Sequence, residues 1–347
     1  MSHNFSAFLD DRPGVPANER YKAVGGGMQK LYRLVSADGI RWRNFSEEPL
    51  FSGYGLDTHN VAIWSPSEQL YAIYLRTGTE GGTTEKPVFR GVRSVARSVS
   101  KDFNTWSKPE LMSFGDTPPE HLYTNATHPY FRAPHLLIAL PMRFVANRQV
   151  LSQKELDAQG VARNQQKDTG DAVLMSSRGG NNYDRTFMES FIRPGLDRKT
   201  WSARNNYPAL GVLPTGPEEM SIYLSGHYTL PDNHLVRYSL RTDGFASVKG
   251  PYSGDHLITK PIVFSGQKLV LNYSTSAAGS LRVELLDASG QPLPGYTSKD
   301  CLTVIGDEIA REITWKKGAD VSALAGRPIK LKFILQDADL YSFRFAP

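Results

Sequence analysis

The apolar positions of this chain fall in short runs parted by turn-forming residues, with little helical periodicity between them. Arg20–Val24, Leu31–Val35, Val61–Trp64, Leu70–Leu75, His135–Leu140, Tyr207–Leu213 and Met220–Leu224 read as strands. Runs of this length, rich in β-branched and aromatic residues, suit a pleated and partly buried surface. After about Pro251 the pattern changes, and Lys268–Tyr273, Leu281–Leu285 and Ile329–Leu335 alternate apolar with polar. A period of two marks strands with one buried face. A polar excursion over Ser152–Asp168 fits neither pattern and predicts a helical turn at Gln153–Gln159.

A hairpin signature punctuates the first part. It reads Ser36-Ala-Asp38-Gly39-Ile-Arg-Trp42, Ser100-Lys-Asp102-Phe-Asn-Thr-Trp106, Ser177-Arg-Gly179-Gly180-Asn-Asn-Tyr183 and Arg241-Thr-Asp243-Gly244-Phe245. Asp-Gly between β-rich runs is a tight-turn signal, because Gly accepts positive φ and Asp bonds back to its own turn. The aromatic that follows gives each hairpin something to pack. Such a repeat predicts an all-β protein: a β-propeller over residues 1–250 with four visible blades, then a β-sandwich over 251–347. The third copy has Gly179 in place of Asp, and the polar excursion lengthens the interval before it. Blades around an axis leave a central pocket, where function is expected.

Composition narrows the classes. At 347 residues and 40% hydrophobic content the chain can bury two cores. A net charge of +5, spread without a basic run, reads as solvated surface and argues against nucleic-acid binding. The single Cys301 excludes an intramolecular disulfide and a cysteine-ligated metal, and reads as a buried thiol. No apolar run is long enough for a membrane span, and the N-terminus lacks the basic and apolar regions of a signal peptide. The expectation is therefore no membrane and, for the chain as written, no export route. No phosphate loop, zinc motif, calcium loop or dinucleotide fingerprint occurs, so no cofactor or metal is expected.

The blade starts with a polar residue before an apolar strand, together with the Ser-x-Asp-Gly-x-x-Trp hairpins, resemble the five-bladed propeller glycosidases of glycoside hydrolase families 32 and 43. More closely, the chain resembles a bacterial group labelled "glycosyl hydrolase family 32 N-terminal domain-like". The stretches that carry this likeness include Phe8-Leu-Asp-Asp-Arg-Pro13, Glu19-Arg-Tyr-Lys22, Leu122-Tyr-Thr-Asn125, Phe191-Ile-Arg-Pro-Gly195, Leu271–Gly279 and Asp337–Arg344. Members of that group generally carry a further N-terminal segment that makes one more blade, so the resemblance implies that the chain opens at the second.

The resemblance implies hydrolysis of glycosidic bonds in a plant or algal oligosaccharide or polysaccharide. That chemistry needs two carboxyl groups, one donating a proton and one acting as base or nucleophile. Asp57, shortly before the strand Val61–Trp64, resembles the family's transition-state-stabilising carboxylate; a turn Asp bonded to its own backbone is the plainer reading. Asp11, beside Asp10, is a further candidate, although Asp-Asp-Arg-Pro also suits a turn. The third repeat, Thr124-Asn125-Ala-Thr-His128, has no carboxylate where the pattern places the acid, so His128 becomes a candidate donor against a structural role. In Pro217-Glu218-Glu219-Met-Ser-Ile-Tyr-Leu, Glu219 is the expected general acid, with surface charge as the alternative. His59, Asn60, Asn125, Arg143, Glu189, Trp64 and Tyr123 are the expected sugar-binding residues. Arg143, like Arg90, Arg93 and Arg97, can bind sugar hydroxyls, a carboxylate or a sulfate, and the aromatics can stack on sugar or pack a core.

Two other readings stand beside hydrolysis. A non-catalytic carbohydrate-binding or truncated propeller is favoured by the missing repeat and the absent third-repeat Glu. A sialidase-type propeller ranks lower, because its hairpin motif is spaced differently and comes with an arginine cluster.

Overall fold

The computed structural model describes residues 3–27, 29–53, 55–81, 90–202 and 204–347. It is all-β, as the patterning predicts, with short antiparallel sheets following one another along the chain and a sandwich at the end. Two compact units emerge: Met1–Leu213 with Ser221–Tyr238, and Pro214–Met220 with Ser239–Pro347. Residues 239–250, which the hairpin pattern groups with the propeller, lie in the second unit.

In the first unit the first two repeats are antiparallel meanders. The first runs His3–Leu9, Tyr21–Gly26, Lys30–Ser36, with Arg43–Asn44 and Phe51–Ser52 on its outer edge. The second runs Val61–Ser65, Leu70–Gly78, Arg93–Ser100, Glu110–Leu111. The third divides into two three-stranded sheets, with breaks between Ala139 and Met142 and between Ala172 and Met175, and the chain detours between the paired strands Met142–Val145 and Thr169–Ala172. Inside that detour lies a helix, Gln153–Ala158, closed by a Ser152/Glu155 capping box. In the fourth, the run Tyr207–Leu213 yields only two-residue strands at its ends, Tyr207–Pro208 and Leu213–Pro214. The apolar side chains pack between successive sheets: Val61, Ile63 and Tyr74 meet Leu122, Leu137 and Met175, while Val24 and Leu31 meet Leu56, Ile73 and Leu75.

The hairpins share one construction in two copies. Asp38 Oδ1 accepts the backbone N–H groups of Ile40 and Arg41, and Asp102 Oδ1 those of Asn104 and Thr105. Trp42 and Trp106 each donate their indole N–H to the carbonyl three residues back, at 3.0 Å. The residue after each Asp has positive φ, at Gly39 and at the buried Phe103. The fourth copy is another structure: Asp243 itself has a φ of 60°, and its carboxylate accepts from Ser342 and Asn272 within the second unit.

The second unit is dominated by two long antiparallel strands, Lys268–Asp287 and Ile329–Ala346. Their pairing breaks between Thr275 and Ser280, where the separate strands expected at 268–273 and 281–285 join through an irregular bend. Both halves bury their alternate residues, Leu269, Leu271 and Tyr273 with Leu281, Val283 and Leu285, in one core around Trp315. Strands that bend through an irregularity to cover both faces of a core are a sandwich device. No helix among the described residues is long and apolar enough to cross a membrane.

Candidate carbohydrate site

The segments leading into the inner strands of the first unit meet one another. Asn4 donates to the Asp57 carbonyl at 2.7 Å, Thr58 Oγ1 to the Tyr123 carbonyl at 3.0 Å, and Asn125 Nδ2 to the carbonyls of His59 and Tyr74 at 3.3 Å. These bonds tie the first three repeats together where the sequence predicts a shared hollow.

At this junction Asp57 forms a salt bridge with Arg76, whose Nε also donates to the Gly55 carbonyl. Arg76 is the lone charge in the apolar strand Leu70–Gly78 and is 8% exposed, so it requires such partners. Its guanidinium lies 5.0 Å from the centre of the Tyr123 ring. Arg93 stands 5.5 Å from the same ring, and Arg204 6.0 Å. Tyr207 meets Tyr123 edge-on at 5.6 Å, and Tyr228 adjoins Tyr207 at 5.5 Å. Burial, with Tyr123 and Tyr228 adding to it, pushes the Tyr207 phenol well above its usual range. The result is one carboxylate, three guanidinium groups and three phenol rings, all partly exposed except Arg76.

The other expected site residues have different places. Asn60 is fully buried; its amide donates to the Leu56 and Thr58 carbonyls, and its oxygen accepts from Arg76 N–H. Asn125 is also buried, with its oxygen closing a turn on Thr127 N–H. Both brace backbone and have no free hand for sugar. His128 is mostly buried: Nδ1–H donates to the Ala126 carbonyl at 2.9 Å, and Nε2 accepts Val212 N–H at 3.0 Å. Burial lowers its pKa, so the imidazole is neutral and its single N–H is engaged. It is a strut and not a proton donor. Burial lowers the His59 pKa as well.

Arg143 is held by Asp171 at 2.6 and 2.8 Å and by Glu120 at 2.8 Å, and Glu120 also receives Arg185 at 3.0 Å. Two cations and two carboxylates make this a closed network, and Arg143 is occupied within it. Trp64 packs edge-on to Tyr71 at 5.0 Å, under Arg12, in the aromatic cluster around Phe103; it is core and not a sugar platform. Asp11 and Glu189 are exposed, whereas Asp10 is buried against Lys22 at 2.8 Å and receives the Tyr71 hydroxyl. Glu219 belongs to the second unit, where Thr215 Oγ1 donates to it at 2.9 Å.

Arg76, Arg204 and Tyr228 escaped the sequence reading. Arg76 carried a signal, a single charge inside a buried strand; Arg204 and Tyr228 carried none.

No protein-family model matches the chain, and no curated protein does. Solved structures match in outline. A Bombyx mori GH32 beta-fructofuranosidase is 10% identical over 100% of this chain and 80% of its own, with a TM-score of 0.39. An N-acetylgalactosamine deacetylase from F. plautii, in complex with blood group B trisaccharide, is 8% identical over 70% of this chain and 90% of its own, at 0.38. A GH43 endo-arabinanase from Bacillus licheniformis is 11% identical over 69% and 93%, at 0.29. No residue role passes from them to this chain.

Proposed function

We propose that the first unit binds carbohydrate at the Tyr123 cluster and acts as a glycosidase-like protein on a plant or algal oligosaccharide, with Asp57 as base or charge-stabilising carboxylate. One observation carries this reading. The Asp57–Arg76 ion pair stands beside a half-open Tyr123 where the inner strands converge. A carboxylate accepts sugar hydroxyls, and phenol rings cover the apolar face of a pyranose or furanose. Hydrolysis further requires a second carboxyl group that donates the proton.

A specific observation favours a second reading, binding without turnover. The third repeat's strand start, Thr124–His128, offers no acid, since the Asn125 amide and both His128 nitrogens are engaged in the protein. An oligosaccharide panel assayed for both binding and product release separates the two. Turnover that Asp57→Asn abolishes while ligand affinity persists supports hydrolysis, and Glu219→Gln tests the acid expected from the sequence. Binding without product supports the second reading. Absence of both rejects a carbohydrate function.

A further inference from the structure

The charge at the Tyr123 cluster is lopsided. Arg76, Arg93 and Arg204 come from three separate segments, yet their guanidinium groups surround one ring at 5.0, 5.5 and 6.0 Å. Asp57 pairs with Arg76, and Asp168 acts on Arg93 through its field. Burial, and the like charge of Arg76, disfavour the Arg93 cation, so gathering these groups works against the fold. Elsewhere in the unit, buried guanidinium groups have near partners: Arg97 sits on Glu68, Arg185 on the Glu120 it shares with Arg143, and Arg33 on the carbonyls of Phe103 and Asn104. Among the described residues no carboxylate pairs with Arg204.

The backbone holds Arg204 in this place at a cost. Arg204 has a φ of 61° and Asn206 a φ of 64°, in the left-handed region that asparagine tolerates and that disfavours the arginine. An arginine so placed persists only where the surroundings over-determine it. The determinants are visible: Asn206 Nδ2 donates to the Gly170 carbonyl at 2.8 Å, and Asn205 Nδ2 donates to Ser202 Oγ at 2.9 Å. The loop is therefore built to deliver Arg204 and, one residue past Asn206, Tyr207 to the cluster.

We infer that the saccharide received at Tyr123 carries an oxyanion, a carboxylate or a sulfate ester, and that Arg204 binds it in the positive field to which Arg93 contributes. The inference rests on the carbohydrate reading and names its substrate class. Guanidinium forks match both anions in the same way, and the partly exposed Tyr123 offers the sugar face beside them.

Matched pairs of ligands test it: an oligouronide and its methyl ester, and a sulfated galactan oligomer and its desulfated form. Affinities are measured calorimetrically at low and high salt for the unaltered protein, Arg204→Gln and Arg93→Gln. The charged member of one pair is expected to bind about tenfold tighter than its neutral twin, with the margin shrinking in salt. Which pair shows the margin identifies carboxylate or sulfate. Arg204→Gln, on a loop, is expected to erase most of that margin even if Arg93→Gln, packed 4.6 Å from the Phe144 ring, fails to fold. Equal binding of charged and neutral twins overturns the anion while leaving carbohydrate binding intact. If no ligand of either pair binds, and none of the neutral oligosaccharide panel does, both readings fall.

Discussion

Glu68 fills the space beside Gly179 where an aspartate side chain would stand. A Cβ at position 179 would come within 2.6 Å of the Glu68 carboxyl carbon, and Glu68 Oε1 accepts the Gly180 N–H at 2.9 Å. In the first two hairpins Asp38 and Asp102 accept such turn N–H groups from inside the turn. In the third, a carboxylate from the Val61–Ser65/Leu70–Gly78 hairpin of the preceding repeat takes over part of the task and is held by Arg97 at 2.8 Å. Ser177 keeps its part, accepting Gly179 N–H at 3.2 Å as Ser36 accepts Asp38 N–H.

Restoring the usual residue should therefore harm the protein. Gly179→Asp meets Glu68 and must also adopt a φ of 101°, so a loss of about 1–3 kcal/mol is expected in denaturant unfolding. In a Glu68→Ser background the steric and charge conflict is gone, and the added cost of Gly179→Asp should be smaller. That coupling is the readout of a double-mutant cycle. Equal costs in both backgrounds would show that Glu68 does not occupy the site.

The first hairpin gives an acid-side prediction. Backbone N–H bonds from Arg41 and Ile40 lower the Asp38 carboxyl to about 2. An unfolded aspartate titrates near about 3.9. A carboxyl depressed by folding contributes stability above its unfolded value and loses it as pH falls through the folded one. Asp38→Asn should thus lower the melting temperature at pH 7, with the gap to the unaltered protein closing between about pH 4 and 2. A gap that stays constant across that range would mean that the carboxylate bonds contribute nothing.

What could be read in advance, and what could not, divides along the range of the interactions. The strands, the Ser152/Glu155 helix and the Asp38 and Asp102 turns rest on bonds between near neighbours, and local pattern specifies those. Asp243 looks the same in sequence, but its carboxylate accepts from Ser342 across 99 positions, and that contact sets a different turn. The site follows the same division. Asp57 and Tyr123 stood out as a polar residue and an aromatic near strand starts. Asn125 stood out equally, yet it braces the His59 carbonyl 66 positions away. Only the assembled repeats show which polar groups are left for a ligand. Arg204 depends on a backbone conformation that no residue pattern announced.

His128 allows the strut role to be tested through pH. Its pKa is lowered in the fold by burial, as is that of His59. A histidine kept neutral by folding contributes its full stability above the unfolded value of about 6.5, and the contribution shrinks as the unfolded chain takes up protons below it. His128→Gln should cost about 1–3 kcal/mol at pH 7.5, because Val212 N–H and the Ala126 carbonyl lose well-placed partners. The decline in stability between pH 6.5 and 5 should become shallower than in the unaltered protein. Where the protein turns over a substrate, His128→Gln should leave the shape of its pH–rate profile unchanged. Disappearance of one limb would reinstate His128 as an acid.

Cys301 reports on the second unit. Its thiol is 6% exposed, its sulfur accepts Val283 N–H at 3.3 Å, and burial pushes its pKa up. Reaction with a disulfide reagent requires the thiolate and access to it, and the fold withholds both. As the single cysteine of the chain, it gives a labelling signal from one place only. If exposure needs an opening that costs about 4 kcal/mol, native labelling runs about a thousandfold slower than in denaturant. Phe333→Ala, in the same core, should accelerate native labelling in proportion to the stability it removes, whereas Tyr74→Phe in the first unit should leave the labelling rate unchanged. Fast labelling of the unaltered protein would place Cys301 at the surface and contradict the packing around Trp315.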